Sequence, residues 1–270
     1  MHPLTEADLP RAAALSALVG WNQNEADWRV FLRDGAAMAL DDGDAAALAA
    51  TGAVLPFGPD LAWISMILVR PDRRRQGQAT AMMRWAGERL AATACVALDA
   101  TPDGREVYRR LGFQDVFGFT RWRVNRPPAA PDVAVRPLQD ADWPALLDLD
   151  AAAFGAPREA LLRGFAARLP QAGWIAVDGS GFALGRDGLR APEIGPVVAQ
   201  DEATALALVA AAATAIARPV LIDLTDSATG IGAVLAGTGE RLRPFTRMTR
   251  GAALPGDPRR LFAMAGPEFG

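Results

Sequence analysis

Trp63-Ile-Ser-Met-Ile-Leu-Val-Arg-Pro71, Asp72-Arg-Arg-Arg-Gln-Gly-Gln-Ala-Thr80 and Ala81-Met-Met-Arg-Trp-Ala-Gly-Glu-Arg-Leu90 follow one another without a break. Their reading decides the fold. The first is a continuous apolar run with β-branched residues, which predicts a buried strand. Pro71 ends it, having no N–H to give to a ladder. The third carries Ala81, Met82, Trp85, Ala86 and Leu90 on one helical face. The junction between them therefore opens a helix, where backbone N–H groups lack partners and the helix dipole is positive. Both favour a phosphate. Gly77 lets the backbone approach a ligand closely, and Ala79 keeps the next approach clear. Arg73, Arg74 and Arg75 add charge suited to bidentate phosphate contact. The stretch Arg74, Arg75, Gln76, Gly77, Gln78, Ala79 and Thr80 is a candidate pyrophosphate cradle. It is not a Walker loop, because no Gly-Lys-Ser/Thr comes after it.

Downstream, Cys95-Val-Ala-Leu-Asp-Ala-Thr101 predicts the next strand, and Gly104-Arg-Glu-Val-Tyr-Arg-Arg-Leu-Gly-Phe113 a helix with its ending. The strand, Val69-Arg70-Pro71, and then Arg74-x-x-Gly77-x-Ala79 resemble the acetyl-CoA-binding motif of the GCN5-related N-acetyltransferase (GNAT) superfamily. That family's pattern is Arg/Gln-x-x-Gly-x-Gly/Ala. Tyr108-x-x-Leu-Gly-Phe113 resembles the end of the family's last helix, in the right order and at the right spacing.

The resemblance implies an acetyl-CoA-dependent N-acetyltransferase acting on an amine acceptor. It implies that backbone N–H groups around Ile67, Leu68 and Val69 hold the acetyl carbonyl, where the central strand splays from its neighbour. It places Tyr108, the one tyrosine of the chain, where the family commonly sets the phenol that protonates the departing thiolate. The other reading of Tyr108 is that it packs its helix against the sheet. The loop Trp21-Asn22-Gln23-Asn24, with Glu25 and Asp27, falls where the family lines its acceptor site. Trp21 is suited to stacking on a substrate and the two acids to a cationic amine; alternatively Trp21 is a hydrophobic staple and the acids are N-terminal helix charges. No general base is visible: Trp63, Ser65 and Met66 stand on the central strand, and Asp99, repeated as Asp223, reads as structural. A water chain, with Ser65, is the remaining route for the proton. A non-enzymatic acyl-CoA-binding sensor is the rival function.

Composition narrows the rest. The chain has 270 residues, a net charge of −3, one cysteine and one histidine. Every basic residue is arginine, which with the heavy alanine usage points to a GC-rich genome and excludes self-acetylation on a lysine side chain. The near-neutral charge argues against nucleic acid or a membrane surface as partner. Cys95 sits in an apolar strand and reads as a buried hydrophobe. With only His2 available, near the start, a histidine triad or metal cluster is excluded, so no metal site is expected. There is no signal-peptide pattern and no membrane-length apolar run. A soluble, cytoplasmic protein is expected, with a homodimer left open.

Along the chain the expected order is helix Arg11 to Val19, helix Ala26 to Arg33, and strands over Met38 to Leu40 and Ala46 to Leu55 joined by the turn Asp41-Asp-Gly-Asp44. The central stretch, the Cys95 strand, the Tyr108 helix and a strand over Phe117 to Val124 come next. Asn125-Arg-Pro-Pro-Ala-Ala-Pro-Asp132 reads as a linker. The second half of the chain repeats the first: Pro137-Leu-Gln-Asp-Ala-Asp-Trp-Pro144 matches Pro3-Leu-Thr-Glu-Ala-Asp-Leu-Pro10, Ile222-Asp-Leu-Thr225 matches Leu98-Asp-Ala-Thr101, and Phe245-Thr-Arg247 matches Phe119-Thr-Arg121. Three matches in the same order indicate a tandem duplication. In the second copy Ile194-Gly-Pro-Val-Val-Ala199 takes the place of the central strand. Gln200-Asp-Glu-Ala-Thr204 then replaces the cradle, with two acids that repel a pyrophosphate, and Tyr108 corresponds to Gly232. The expected fold class is therefore α/β: two tandem GNAT-type domains, each a mixed, mostly antiparallel sheet flanked by helices. Residues 1–126 form the catalytic, acetyl-CoA-binding domain, 127–131 the linker, and 132–270 a degenerate copy.

Overall fold

The computed structural model describes residues 1–43 and 47–270. Asp44 and Ala46, in the expected hairpin turn and strand start, lie outside the described residues. The chain forms two compact units, residues 1–98 with 188–190, and residues 99–187 with 191–270.

Unit 1 contains β1 (His2–Pro3), α1 (Leu9–Leu18), α2 (Glu25–Asp34), β2 (Ala36–Asp41), β3 (Leu48–Pro56), β4 (Leu61–Val69), α3 (Gln78–Arg89) and the start of β5 (Cys95–Ala100). The strands lie side by side in chain order. All pairs are antiparallel except β4–β5, which is parallel. The helix starts are set by side chains. Thr5 and Asp8 form a capping box ahead of α1, and Asn24 and Asp27 form one at the start of α2; each satisfies backbone donors that a helix start leaves open. Trp28, Phe31, Trp63 and Met82 are fully buried and fill the interior from both secondary-structure types.

Unit 2 holds the rest: α4 (Pro102–Arg110), β6 (Gln114–Val124), β7 (Val135–Pro137), α5 (Trp143–Phe154), α6 (Glu159–Arg168), β8 (Trp174–Ala176), β9 (Gly181–Arg186), β10 (Glu193–Ala199), α7 (Glu202–Ile216), β11 (Val220–Thr225), α8 (Thr229–Ala236), β12 (Gly239–Gly251) and β13 (Leu261–Ala263). Its strand order is β12-β6-β11-β13-β10-β9-β8-β7. β10–β11 is the parallel pair, matching β4–β5. The repeat seen in the sequence is also geometric. Gln139 and Asp142 rebuild the Thr5–Asp8 capping box ahead of α5. No described helix is long and apolar enough to cross a membrane, and no described cluster of His, Cys, Asp and Glu is placed to hold a metal ion.

The units part within β5 and not at the proline-rich segment. The cause is β6, the last strand of the first repeat. It is laddered on one side to β11, from Val220↔Val124 to Thr225↔Phe119, and on the other to β12, where Phe245 faces Phe119. The repeated Phe-Thr-Arg motifs thus meet each other, and the two phenyl rings stack at 5.1 Å between centroids. The arginines then trade partners. Arg247 binds Asp99 through two hydrogen bonds of 2.9 and 2.8 Å, while Arg121 binds Asp223 at 2.8 and 2.6 Å and Glu193 at 3.0 Å. Asp99 is therefore structural, as the anion of a buried ion pair. Burial pushes its carboxyl pKa up and the Arg247 charge opposes this. Both side chains are at most 1% exposed, so Arg247→Ala leaves an uncompensated buried charge. It is expected to cost ~3–5 kcal/mol in urea unfolding, with much of that recovered in the Asp99→Leu/Arg247→Met double variant.

Candidate functional site

The cradle forms as its residue types require. α3 begins at Gln78, earlier than the apolar periodicity indicated, so Ala79 and Thr80 lie in its first turn. Gly77 is its N-cap, at φ +81°, a left-handed conformation that a glycine adopts without the cost of a Cβ. A Cβ there would meet open space within 4 Å. No side chain caps the helix, and its first internal bond runs from Ala81 N–H to Gly77 O at 2.9 Å. Among the described residues no side chain takes the N–H groups of Gln78, Ala79 and Thr80, the donors that a helix start leaves open. Gln78 Oε1 is enclosed without a hydrogen-bond partner among the described residues. Of the arginines, Arg73 is held by Asp42 at 2.6 Å, and Arg70 by Asp42 and Asp72 at 3.0 Å each. Arg74 and Arg75, both exposed, have no ion-pair partner among the described residues. They are the charges available to a phosphate.

The central strand opens just before the cradle. β4 and β5 pair at Leu61↔Cys95, Ala62↔Val96 and Trp63↔Ala97, and their ladder stops there among the described residues. Beyond it β4 keeps β3 on one side only, leaving alternate backbone N–H groups of residues 64–69 facing the open side. The strand is also bulged. Thr51 faces Leu68 and Ala53 faces Ser65, so Met66 and Ile67 both stand opposite Gly52. Met66 is at φ +54°, and the buried Thr51 hydroxyl donates to its carbonyl at 3.0 Å. A non-glycine residue there is strained by ~1–3 kcal/mol, and such bulges re-aim a strand next to a binding site. Ile67 is part of the bulge, and Leu68 and Val69 come directly after it. Thr51, Met66 and Asp42 take part in this arrangement without any mark in the sequence.

The second copy has filled the same two features with its own chain. β10 and β11 pair at Glu193↔Leu221 and Ile194↔Ile222 and then separate. β13 enters the gap, with Ala263 facing both Val197 and Leu224 and with Met264 N–H donating to Asp223 O at 3.0 Å. At the start of α7, Asp201 caps the helix by accepting from Thr204 N–H at 2.8 Å. Glu202 reaches the N-terminus of α8 and accepts from Gly230 N–H at 3.0 Å. Of the two acids expected to repel a phosphate, Asp201 occupies a donor at the start of α7, and Glu202 is turned to the start of α8.

Comparison with known proteins agrees with this duplication. Residues 9–113 match the sequence profile of the acetyltransferase (GNAT) family, and residues 146–263 that of an acetyltransferase (GNAT) domain. This chain is a tandem GNAT protein. A protein from Pyrococcus horikoshii, described as a candidate acetyltransferase, superposes with a TM-score of 0.79 at 17% identity, covering 100% of this chain and 95% of its own. A tandem GNAT protein from the clavulanic acid biosynthesis pathway gives 0.63 at 18% identity over 94% and 98% of the two chains. A GCN5-related N-acetyltransferase from Sphaerobacter thermophilus gives 0.62 at 15% identity over 94% and 97%. At these identities the likeness is one of fold. No curated protein matches the sequence.

Two further parts of the GNAT pattern have a local physical cause. In unit 2, Tyr108-x-x-Leu-Gly-Phe113 is a helix ending. Gly112 is left-handed at φ +86°, and Phe113 N–H returns to Tyr108 O at 3.1 Å, as in a Schellman motif. Phe113 then sets its ring edge-on to Tyr108, 6.3 Å between centroids. The half-buried Tyr108 hydroxyl has no hydrogen-bond partner among the described residues, and desolvation pushes its pKa up to about 12. It is a donor throughout the neutral range.

In unit 1, Asn24 accepts from Asp27 N–H at 3.1 Å and its own N–H donates to Asp27 Oδ2 at 3.0 Å. The buried Asp27 is thus a helix-cap charge and is not presented to a cationic amine, whereas Glu25 is exposed. Trp21 is half-buried, its N–H on Ser16 O at 2.8 Å. Asn22 and Gln23 are each 1% exposed. Asn22 Oδ1 accepts from Arg190 N–H, while Gln23 Oε1 and Ser65 Oγ are enclosed without partners among the described residues.

Proposed function

We propose that the chain transfers the acetyl group of acetyl-CoA to a primary amine of a small-molecule acceptor in the cytoplasm. The first repeat, residues 1–126, carries the donor site; residues 127–131 are the linker and 132–270 the repeat that has lost it. The contrast between the copies carries this reading. One central strand opens beside an uncapped helix start with two arginines that have no ion-pair partner among the described residues, and the other is closed by β13 and capped by Asp201.

Acetyl-CoA supplies the activated thioester. Arg74, Arg75 and the N–H groups of Gln78, Ala79 and Thr80 bind its pyrophosphate, with Gln76 and Gly77 forming the turn. Backbone N–H groups from Ile67 to Val69 orient the acetyl carbonyl and stabilise charge developing on its oxygen. The Tyr108 hydroxyl donates to the departing sulfur. The acceptor loop is Trp21, Asn22 and Gln23, and the amine loses its proton to water, with the Ser65 hydroxyl available as a relay.

The test is free-thiol release from acetyl-CoA against a panel of primary amines, together with calorimetry. One donor site per chain is expected, with thiol release for at least one amine class. Two equal sites would sink the assignment to the first repeat. Binding without thiol release for any amine would leave an acyl-CoA sensor. Tyr108→Phe is expected to lower kcat by about 10²-fold, the lower end of general-acid effects because a thiolate leaves readily, with acetyl-CoA affinity retained. With its pKa about 12, Tyr108 contributes no inflection to the activity profile below about pH 10. An inflection in that range that vanishes in Tyr108→Phe would contradict the assignment.

A further inference from the structure

We propose that Arg190 is a positioning residue for the acceptor: with Leu189 it clamps the loop from Trp21 to Asn24 and so sets which amine the protein accepts. Residues 188–190 lie between β9 and β10, yet they belong to unit 1. The reason is a set of hydrogen bonds to one short segment. Leu189 N–H donates to the main-chain carbonyl of Asn22 at 2.7 Å, and Arg190 N–H donates to Asn22 Oδ1 at 2.9 Å. The Arg190 guanidinium also donates to Ala17 O at 3.1 Å. Ala17 is in the last turn of α1, where its carbonyl already accepts from Gly20 N–H at 3.1 Å; the carbonyl's second lone pair and the negative end of the helix dipole favour a cation.

The ends of the loop are anchored by Trp21 N–H on Ser16 O and by the Asn24–Asp27 capping box. The clamp acts on its middle, at Asn22. Leu18 and Leu189, 56% and 43% exposed, flank the clamped segment with apolar surface. The inference rests on the proposal that this loop lines the acceptor site. A wall misplaced by ~1 Å can cost about 10²-fold in rate, so a clamp on the wall controls acceptor choice while leaving the cradle, on α3, untouched.

The experiment uses the full chain and the variants Arg190→Ala and Arg190→Lys. The first reading is hydrogen exchange at Asn22 and Gln23. The second is thiol release from acetyl-CoA with glucosamine, spermidine, lysine amide and tyramine, and the third is calorimetric affinity for coenzyme A. In Arg190→Ala, exchange is expected to quicken at Asn22 and Gln23. Arg190→Ala keeps both main-chain bonds to Asn22 and removes the guanidinium bond to Ala17 O that holds residue 190 in place. The KM of the best panel amine is expected to rise about ten-fold, the equivalent of one hydrogen bond from a charged donor, or the panel to re-rank. Coenzyme A affinity should stay within about two-fold, and Arg190→Lys, which restores a cation near Ala17 O, should recover most of the amine KM. Unchanged exchange, or unchanged amine KM and ranking, overturns the clamp. An equal loss of coenzyme A affinity would assign Arg190 a general structural role and also overturns it. If the unmodified chain releases no thiol with any of these amines, it is the proposed transfer to such acceptors that falls, and the exchange measurement still judges the clamp.

Discussion

Residues 1–126, expressed alone, are expected not to fold. The fragment ends with β6, whose two ladder partners, β11 and β12, both lie beyond the cut. It would keep Asp99 and Arg121 but lose Arg247, Asp223 and Glu193. Leaving one member of a buried ion pair uncompensated costs ~3–5 kcal/mol, and two such losses approach the ~5–15 kcal/mol that holds a whole domain together. An apolar strand exposed on both edges also invites aggregation. Size exclusion and circular dichroism should show an aggregated or unstructured species. Adding residues 132–270, preferably by co-expression, should restore a soluble complex with thiol-releasing activity. A monomeric 1–126 fragment with cooperative unfolding near that of the full chain would refute the dependence of β6 on β11 and β12.

Gly77→Asp should abolish acetyl-CoA binding, by at least about 10²-fold, with little loss of stability. The space around Gly77 is open, so no clash with the protein is introduced. Aspartate tolerates a left-handed backbone, here φ +81°, better than most side chains do. The new carboxylate would stand at the start of α3, whose N–H groups a phosphate needs. It would also set a negative charge against the pyrophosphate. Gly77→Ala separates the two causes, since it adds the strain without the charge and should weaken binding far less. Equal affinity for all three proteins by calorimetry would show that the cradle is elsewhere.

The parts of this molecule that the sequence disclosed are those whose cause is local. The strand, the glycine and the helix of the cradle are neighbours in the chain, and so are Tyr108, Gly112 and Phe113 at their helix ending. The duplication was legible because three motifs recur in order. The fate of those motifs was not. Nothing in Phe119-Thr-Arg121 says that it will lie beside Phe245-Thr-Arg247, because a strand's own pattern records which faces are buried and not which strand lies alongside. The role of β13 as the filler of a gap depends likewise on partners far away in the chain. Met66 carries a left-handed backbone without being glycine, so its bulge left no sequence signal. Asn22, an expected substrate contact, turned out to have its side-chain oxygen on Arg190 N–H, a donor 168 residues away.

The trade of partners between Asp99–Arg247 and Asp223–Arg121 bears on how such a gene can change. After a duplication, a spare copy ordinarily drifts and is deleted. Here each copy supplies the counter-ion that the other's buried aspartate requires, so deleting either copy would remove a structural part of the other. Loss of one copy ceased to be tolerable once the arginines had exchanged. The lineage is locked into carrying both, and later innovation, such as a loop at residues 188–190 bonding to Asn22, had a permanently retained scaffold on which to arise.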